Sequence, residues 1–220
     1  MAISAITRLA AVNLMLSTIA EPEVTATSQS TASKKALVAL TQALERTNTF
    51  YDWSWLESTV LGDTGSWIGE TVRFTLVRKF VFAKWRTANG TFINIPWVSN
   101  KQFYTGKLDV IGTNGMVRYW TFQDDAVRVN PHPTLPAERA QLRIGIIREF
   151  AQPVNDAAFI AMPPRFVYGA LDFGLHLLNG NHVHDPGMSE MYYGKWEKEM
   201  YRLKSQEPSY HTGNMSMFGN

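Results

Sequence analysis

Apolar positions change period twice along this chain, from helical spacing to strand alternation and back. Near the start Leu9, Val12, Leu16 and Ile19 recur every three or four residues and predict a helix over Ser4–Ile19. Pro22 lies at or just past its end, because proline disfavours helix in the residue before it. Residues 25–33 form a polar linker, and Ser33 can cap a second helix from Lys34 to about Tyr51. Leu37, Leu40, Leu44 and Tyr51 make its stripe. Trp53, Trp55 and Leu56 follow as an aromatic knot that plugs the end of a helical bundle.

From about Thr71 to Ile147 the period becomes two. Val72, Phe74 and Leu76 alternate with Arg73 and Thr75. Phe80–Trp85 and Phe92–Ile95 flank Asn89-Gly90, a hairpin signal because both turn residues tolerate positive φ. A second hairpin is expected at Gly112–Gly115, with arms Lys107–Ile111 and Met116–Phe122. Asp124-Asp125 reads as a turn, Pro131, Pro133 and Pro136 as a stiff loop, and Leu142–Ile147 as the last strand. Helical spacing then returns. Met162-Pro163-Pro164-Arg165-Phe166 opens a helix with Phe166, Ala170, Phe173 and Leu177 on one face. Asn179-Gly180 is expected to end it, with glycine in the left-handed cap conformation. Met188, Tyr192, Trp196, Met200 and Leu203 predict a final helix from about Pro186 to Lys204, whose charged positions 195, 197–199 and 202 mark a solvated face.

Neither outer piece has enough apolar surface to fold alone, so the two must meet in space. The expected class is α+β: a discontinuous helical bundle from both chain ends (residues 1–70 and 149–204), an inserted antiparallel β-rich domain (71–148) and an extended C-terminal tail (205–220). The expected bundle core is Leu9, Val12, Leu16, Ile19, Leu40, Leu44, Trp55, Phe166 and Trp196.

Of 220 residues, 45% are hydrophobic and 18% charged, which argues against general disorder. Cysteine is absent, so a disulfide scaffold and a thiolate metal site are excluded. Twenty-one basic residues against 19 acidic ones, with no Lys/Arg run, give no sequence signal for a protein that grips nucleic acid. Asn13, Ser17 and Thr18 interrupt the first apolar stretch, so it is not read as a signal peptide, and no membrane span is expected.

Candidate chemistry is sparse. His182-x-His184-Asp185, with His176 nearby, is the best metal candidate, but it sits in a Gly- and Asn-rich connection without a fixed ligand motif and reads as a surface loop. Glu21 and Glu23 flank a proline, Asp124 and Asp125 fill a turn, and Asp63-Thr64-Gly65 is a lone triplet in a loop. No nucleophile elbow is present. No catalytic, cofactor or metal residue is therefore expected.

Three stretches share an order and spacing with a known family: Ala11-Val12-Asn13 through Ile19-x-Glu21-Pro22-x-Val24, then Trp53-x-Trp55, then Met162-Pro163-x-x-Phe166 after Ile146-Ile147-Arg148. With its Glu-rich last helix and a Tyr- and Met-containing tail, the chain resembles the tail tubular protein A family, the head-to-tail adaptors (gatekeepers) of short-tailed phages. The resemblance implies a non-enzymatic structural protein of the virion tail, made in the host cytoplasm. It implies a homo-oligomeric, dodecameric ring between the portal protein and the tail nozzle protein. Such a ring continues the channel through which genomic DNA passes without sequence-specific binding, and it offers an attachment surface for tail fibres. No cofactor and no membrane is implied. The expected anchors on the portal are Tyr210, Met215, Met217 and Phe218, with the β insert turned to nozzle or fibres. Two other classes fit the same sequence: a tail-associated polysaccharide hydrolase whose aromatic-rich insert stacks on sugars, and a head-to-tail connector of a long-tailed phage.

Overall fold

The computed structural model describes residues 5–105, 116–123 and 126–207. The 112–115 turn with its first arm, the Asp124-Asp125 turn, and Tyr210, Met215, Met217 and Phe218 lie outside the described residues. The chain is a mixture of helix and antiparallel sheet. In chain order it forms helices α1 (Arg8–Thr18) and α2 (Thr31–Thr49), then strands β1 (Glu57–Leu61), β2 (Ser66–Ile68), β3 (Thr71–Arg73), β4 (Val77–Arg86) and β5 (Phe92–Ile95). A short α3 (Asn100–Tyr104), β6 (Tyr119–Gln123), β7 (Ala126–Asn130), a short α4 (Pro136–Arg139) and β8 (Leu142–Arg148) follow, then α5 (Pro164–Leu178) and α6 (Pro186–Gln206). Two compact units result: Met1–Trp55 with Phe150–Asn220, and Leu56–Glu149.

In the first unit α5 is the central helix. It packs on α2 and on α6 and also touches α1. Two glycines let it be surrounded: a Cβ on Gly169 would stand 2.5 Å from Met200 Cε, and one on Gly174 2.6 Å from Met15 Cε. Val12, Leu16, Leu40, Leu44, Phe166 and Trp196 are buried. Leu9, in the first turn of α1, and Ile19, its C-cap, are half-buried. Trp55 is half-buried too, and Trp53 is the tryptophan that goes fully into the core. On α6, Tyr192, Trp196, Met200 and Leu203 are buried as expected, but Met188 is exposed and Ser189 takes the buried place in the first turn.

Helix ends differ from the sequence reading for local reasons. α1 begins at Arg8 because the Thr7 hydroxyl accepts from Ala10 N. It stops in a Schellman turn: Glu21 N donates to Leu16 O and Ala20 N to Ser17 O, with Ala20 at φ +58°. α2 begins before Ser33. Ser30 is its N-cap, accepting from Ser33 N at 3.0 Å while the Ser33 hydroxyl accepts from Ser30 N at 2.9 Å, a reciprocal box built from two serines. Gly180 does not end α5. The helix widens into a π turn over Asn179–Val183, and the left-handed residue is His184, at φ +59°. Gly180 serves close approach instead, since a Cβ there would lie 3.2 Å from Ser189 Oγ on α6.

The second unit holds two four-stranded antiparallel sheets, ordered β1-β8-β4-β5 and β2-β3-β7-β6. Both contribute to one core, including Val72, Phe80, Trp85, Trp120, Val127 and Ile144. β8, the last strand, lies between β1 and β4, so the unit's first and last strands are neighbours. β4 and β5 form the hairpin expected around Asn89-Gly90. Only Gly90 has positive φ (+80°), because the loop is longer than two residues: Gly90 N donates to Thr87 O and Thr87 N to Thr91 O. β1 was not legible, since Glu-Ser-Thr-Val-Leu carries little apolar alternation and its partner is β8.

Ala20 holds a backbone conformation that a Cβ disfavours. Ala20→Gly should therefore stabilise the helical unit by about 1 kcal/mol. Chemical denaturation of the two proteins checks this, and a destabilised glycine variant refutes the account of the turn.

Candidate interaction surface

Side chains from residues 11–24, 53–55 and 162–166 contribute to the interior of the helical unit. Asn13, on α1, uses both ends of its side-chain amide on one residue. Its Nδ2 donates to Val24 O at 3.0 Å and its Oδ1 accepts from Val24 N at 3.0 Å. This pair folds the chain back after the Schellman turn and Pro22. At the other end of α2, Trp53 Nε1 donates to Thr47 O at 2.8 Å and Trp196 Nε1 to Thr47 Oγ1 at 3.2 Å. The Phe166 ring lies 4.7 Å from Trp53 and 5.8 Å from Trp55. Met162, just before Phe166, is buried as well.

A second cluster ties α1 to the segment before α5. Arg8 places Nε and Nη2 on Asp156 Oδ1, at 3.1 and 2.7 Å, and Nη1 on Pro153 O. Thr27 gives Asp156 its backbone N–H at 2.9 Å and its hydroxyl at 2.7 Å. The first-turn N–H groups of α1, which have no helical acceptor, go to Ala158 O and Asp156 O. The Thr27 N–H and hydroxyl, then Arg8, hold the Asp156 carboxyl below the ordinary range.

This scaffold presents exposed apolar side chains. Val154 is 85% and Phe159 64% exposed on the loop that Asp156 pins, and Tyr168, Met191, Tyr193 and Tyr201 are exposed on α5 and α6. Between α2 and the end of α5 runs a groove of about 320 Å³, walled by Val38, Leu177 and Leu178 with Lys34 and Lys35 at its rim. His182, also at this rim, lies 3.3 Å from Lys35 Nζ and 3.7 Å from a Glu21 carboxylate oxygen. Asp172, on α5, is half-buried. Burial pushes its carboxyl up, and Lys195 on α6 offsets part of that rise.

The candidates for chemistry are not brought together. Among the described residues no three His, Asp or Glu side chains gather as a metal cluster would require. Asp185 is occupied as the N-cap of α6, accepting from Met188 N at 3.0 Å. His176 Nδ1 meets Ser189 Oγ at 2.9 Å, but that hydroxyl is also hydrogen-bonded to His176 O, so the pair fastens α5 to α6. Asp63-Thr64-Gly65 spans a 3₁₀ turn and the residue after it, and the Thr64 hydroxyl donates to Leu61 O. No helix among the described residues is long and apolar enough to cross a membrane. No protein-family profile and no curated protein matches this chain.

Asp156 gives the helical unit a defined pH response. Its folded pKa is depressed, so its contribution is fully present above the unfolded value near pH 4 and is lost as pH falls through the folded value. Asp156→Ala should cost about 2 kcal/mol at pH 7, since four charge-assisted hydrogen bonds are lost. The difference from wild type should shrink below about pH 4. Urea unfolding across pH 3–7 reads both; a gap that stays constant into acid contradicts the assignment.

Proposed function

We propose that this chain is a ring-forming tail adaptor of a short-tailed phage, seated between portal and nozzle. The reading starts from the resemblance to the tail tubular protein A family. One structural observation supports it above others: residues 11–24, 53–55 and 162–166 lie in the same helical unit, while Ile146-Ile147-Arg148, which precedes the last of them, ends β8 in the β unit. Asn13 is the amide that clamps Val24, and Trp53, Trp55 and Phe166 form one ring cluster. In this reading the two terminal helical segments make a wedge. Identical wedges associate heterologously, one face of a subunit on a different face of the next, and the rotation closes as a dodecamer. The exposed loop at Val154 and Phe159 and the α2–α5 groove supply unlike apolar surfaces for such a contact. Genomic DNA passes through the lumen, and the β unit offers the surface for nozzle or fibres.

The residues after α6 are the proposed portal anchor, through Tyr210, Met215, Met217 and Phe218. α6 itself runs to Gln206, beyond the expected Lys204, and Glu207 is tucked in behind it. The Glu207 carboxylate accepts from Ser54 N at 2.8 Å, and its side chain is 2% exposed. A truncation that tests the anchor must therefore spare Glu207. Removal of residues 208–220 should leave the melting temperature unchanged and abolish association with portal rings, as measured by co-sedimentation. Removal of 207–220 should also lower stability, by about 1–3 kcal/mol. Portal binding by the shorter truncation overturns the anchor. Native mass measurement of the full chain with and without portal protein tests the ring itself, and a monomer in both conditions sinks it.

A further inference from the structure

The outer face of the β1-β8-β4-β5 sheet assembles cations that are scattered in the sequence. A register shift between Phe80 and Phe82 moves the alternation of β4 by one residue. Phe80, Ala83 and Trp85 consequently enter the core, and Phe82, Lys84 and Arg86 take the opposite face. On β8, Leu142 and Ile144 enter the core and Arg143 faces out, directly across from Lys84. Arg86 sits opposite Phe92, on the edge strand. These three cations come from two adjacent strands, and by register Lys79 and Glu57, both opposite Ile147, share the face further along it.

Their surroundings are unusual. Lys84 Nζ lies 4.8 Å from the Phe82 ring centroid and Arg143 Cζ 5.1 Å from that of Phe92, so each is held on an aromatic ring. None of the three has a carboxylate within ion-pair distance among the described residues. Arg143 Nε is buried without an acceptor there. Like charges directly opposite each other on neighbouring strands repel, at a Cβ separation of about 5 Å. Over the whole unit, residues 56–149 contain twelve Lys and Arg against eight Asp and Glu.

We propose that this face binds the phosphodiester backbone of duplex DNA, without sequence preference. The site offers Lys84 and Arg143, each over an aromatic ring, and the exposed Arg86, with Asn94 as the neighbouring amide. A phosphodiester chain presents acceptors alone and satisfies such a row. A peptide would also bring N–H donors, which need acceptors the row lacks. An anion between Lys84 and Arg143 removes their mutual repulsion. The site does not depend on the adaptor reading, because it rests on the register of this sheet alone.

The test is fluorescence anisotropy of a labelled 30-base-pair duplex of mixed sequence, titrated with the full chain between 50 and 200 mM salt. Binding should weaken with a log–log salt slope of about −3, one unit for each phosphate contact. K84Q/R86Q/R143Q should lose at least tenfold in affinity at the lowest salt and flatten the slope. K195Q/K198Q/K204Q removes the same charge from the helical unit and should bind as wild type. Circular dichroism establishes that each variant is folded; if the triple variant is not, exposed Arg86 alone, as R86Q, should reduce the slope by about one. The proposal is overturned by absence of binding, by equal weakening in the control, or by poly-glutamate displacing the duplex at equal charge concentration.

Discussion

A single buried threonine holds the helical unit together. Two tryptophans are driven into its interior by their apolar area, and each brings an indole N–H that has to find an acceptor once water is excluded. Thr47 provides both acceptors. Its carbonyl belongs to the last turn of α2, where helical carbonyls have no intrahelical donor, and it takes the N–H of Trp53. Its hydroxyl takes that of Trp196. A chain that turns back just after a helix ends thus satisfies the helix terminus and the buried indole with one bond. The second bond ties that terminus to α6, which comes from the other end of the sequence.

The same requirement shapes what lies between. The helical unit has to be built from both chain ends, so the intervening residues must leave it and return to it at neighbouring points. Trp55 and Phe150, the last and first residues of its two segments, have ring centroids 6.2 Å apart. The β unit meets the corresponding condition internally by pairing its first strand with its last, Glu57 opposite Ile147. Placing β8 between β1 and β4 makes this a non-local closure, which forms only after the loop entropy of the whole insert is lost. The Asn13–Val24 clamp and the Arg8–Asp156–Thr27 cluster do comparable work at the opposite end of α2, the first by closing a local loop and the second by joining residues distant in sequence.

What could be read from the sequence was what depends on local period. Leu40 and Leu44 of α2, Phe166 and Ala170 of α5, and Tyr192, Trp196, Met200 and Leu203 of α6 follow from helical spacing, whereas Leu37, Phe173 and Leu177 are only half-buried and Tyr51 lies beyond the end of α2. The β4–β5 hairpin follows from Asn89-Gly90 between two apolar runs. Spacing misleads where one specific contact, rather than the period, decides the place of a residue. Trp53 and Trp55 look equivalent in the chain, but only Trp53 is in position to reach Thr47 O. Gly180 looks like a helix cap, but the close approach of Ser189 uses the missing side chain differently. Met188 is outcompeted by Ser189 because a small hydroxyl can bond His176 where α5 and α6 come closest. Ser33 has the residue type of a cap, but it is the reciprocating partner of Ser30. β1 and the short helices α3 and α4 carry too few residues to show a period.

Charge shows the limit most clearly. Along the chain Lys84, Arg86 and Arg143 are unremarkable, and a near-balanced composition gave no reason to single them out. Their juxtaposition is created by strand register, and register is fixed by the apolar residues on the other face of the same strands. Phe80, Ala83, Trp85, Leu142 and Ile144 have to point into the shared core, and the bulge in β4 is what lets all of them do so. Once those five are inside, the pleat leaves Lys84 and Arg143 facing outward side by side. Core packing therefore sets the electrostatics of the opposite face. A sequence reading that weighs composition and charge runs misses such a face, because its two halves meet only when β8 enters the sheet.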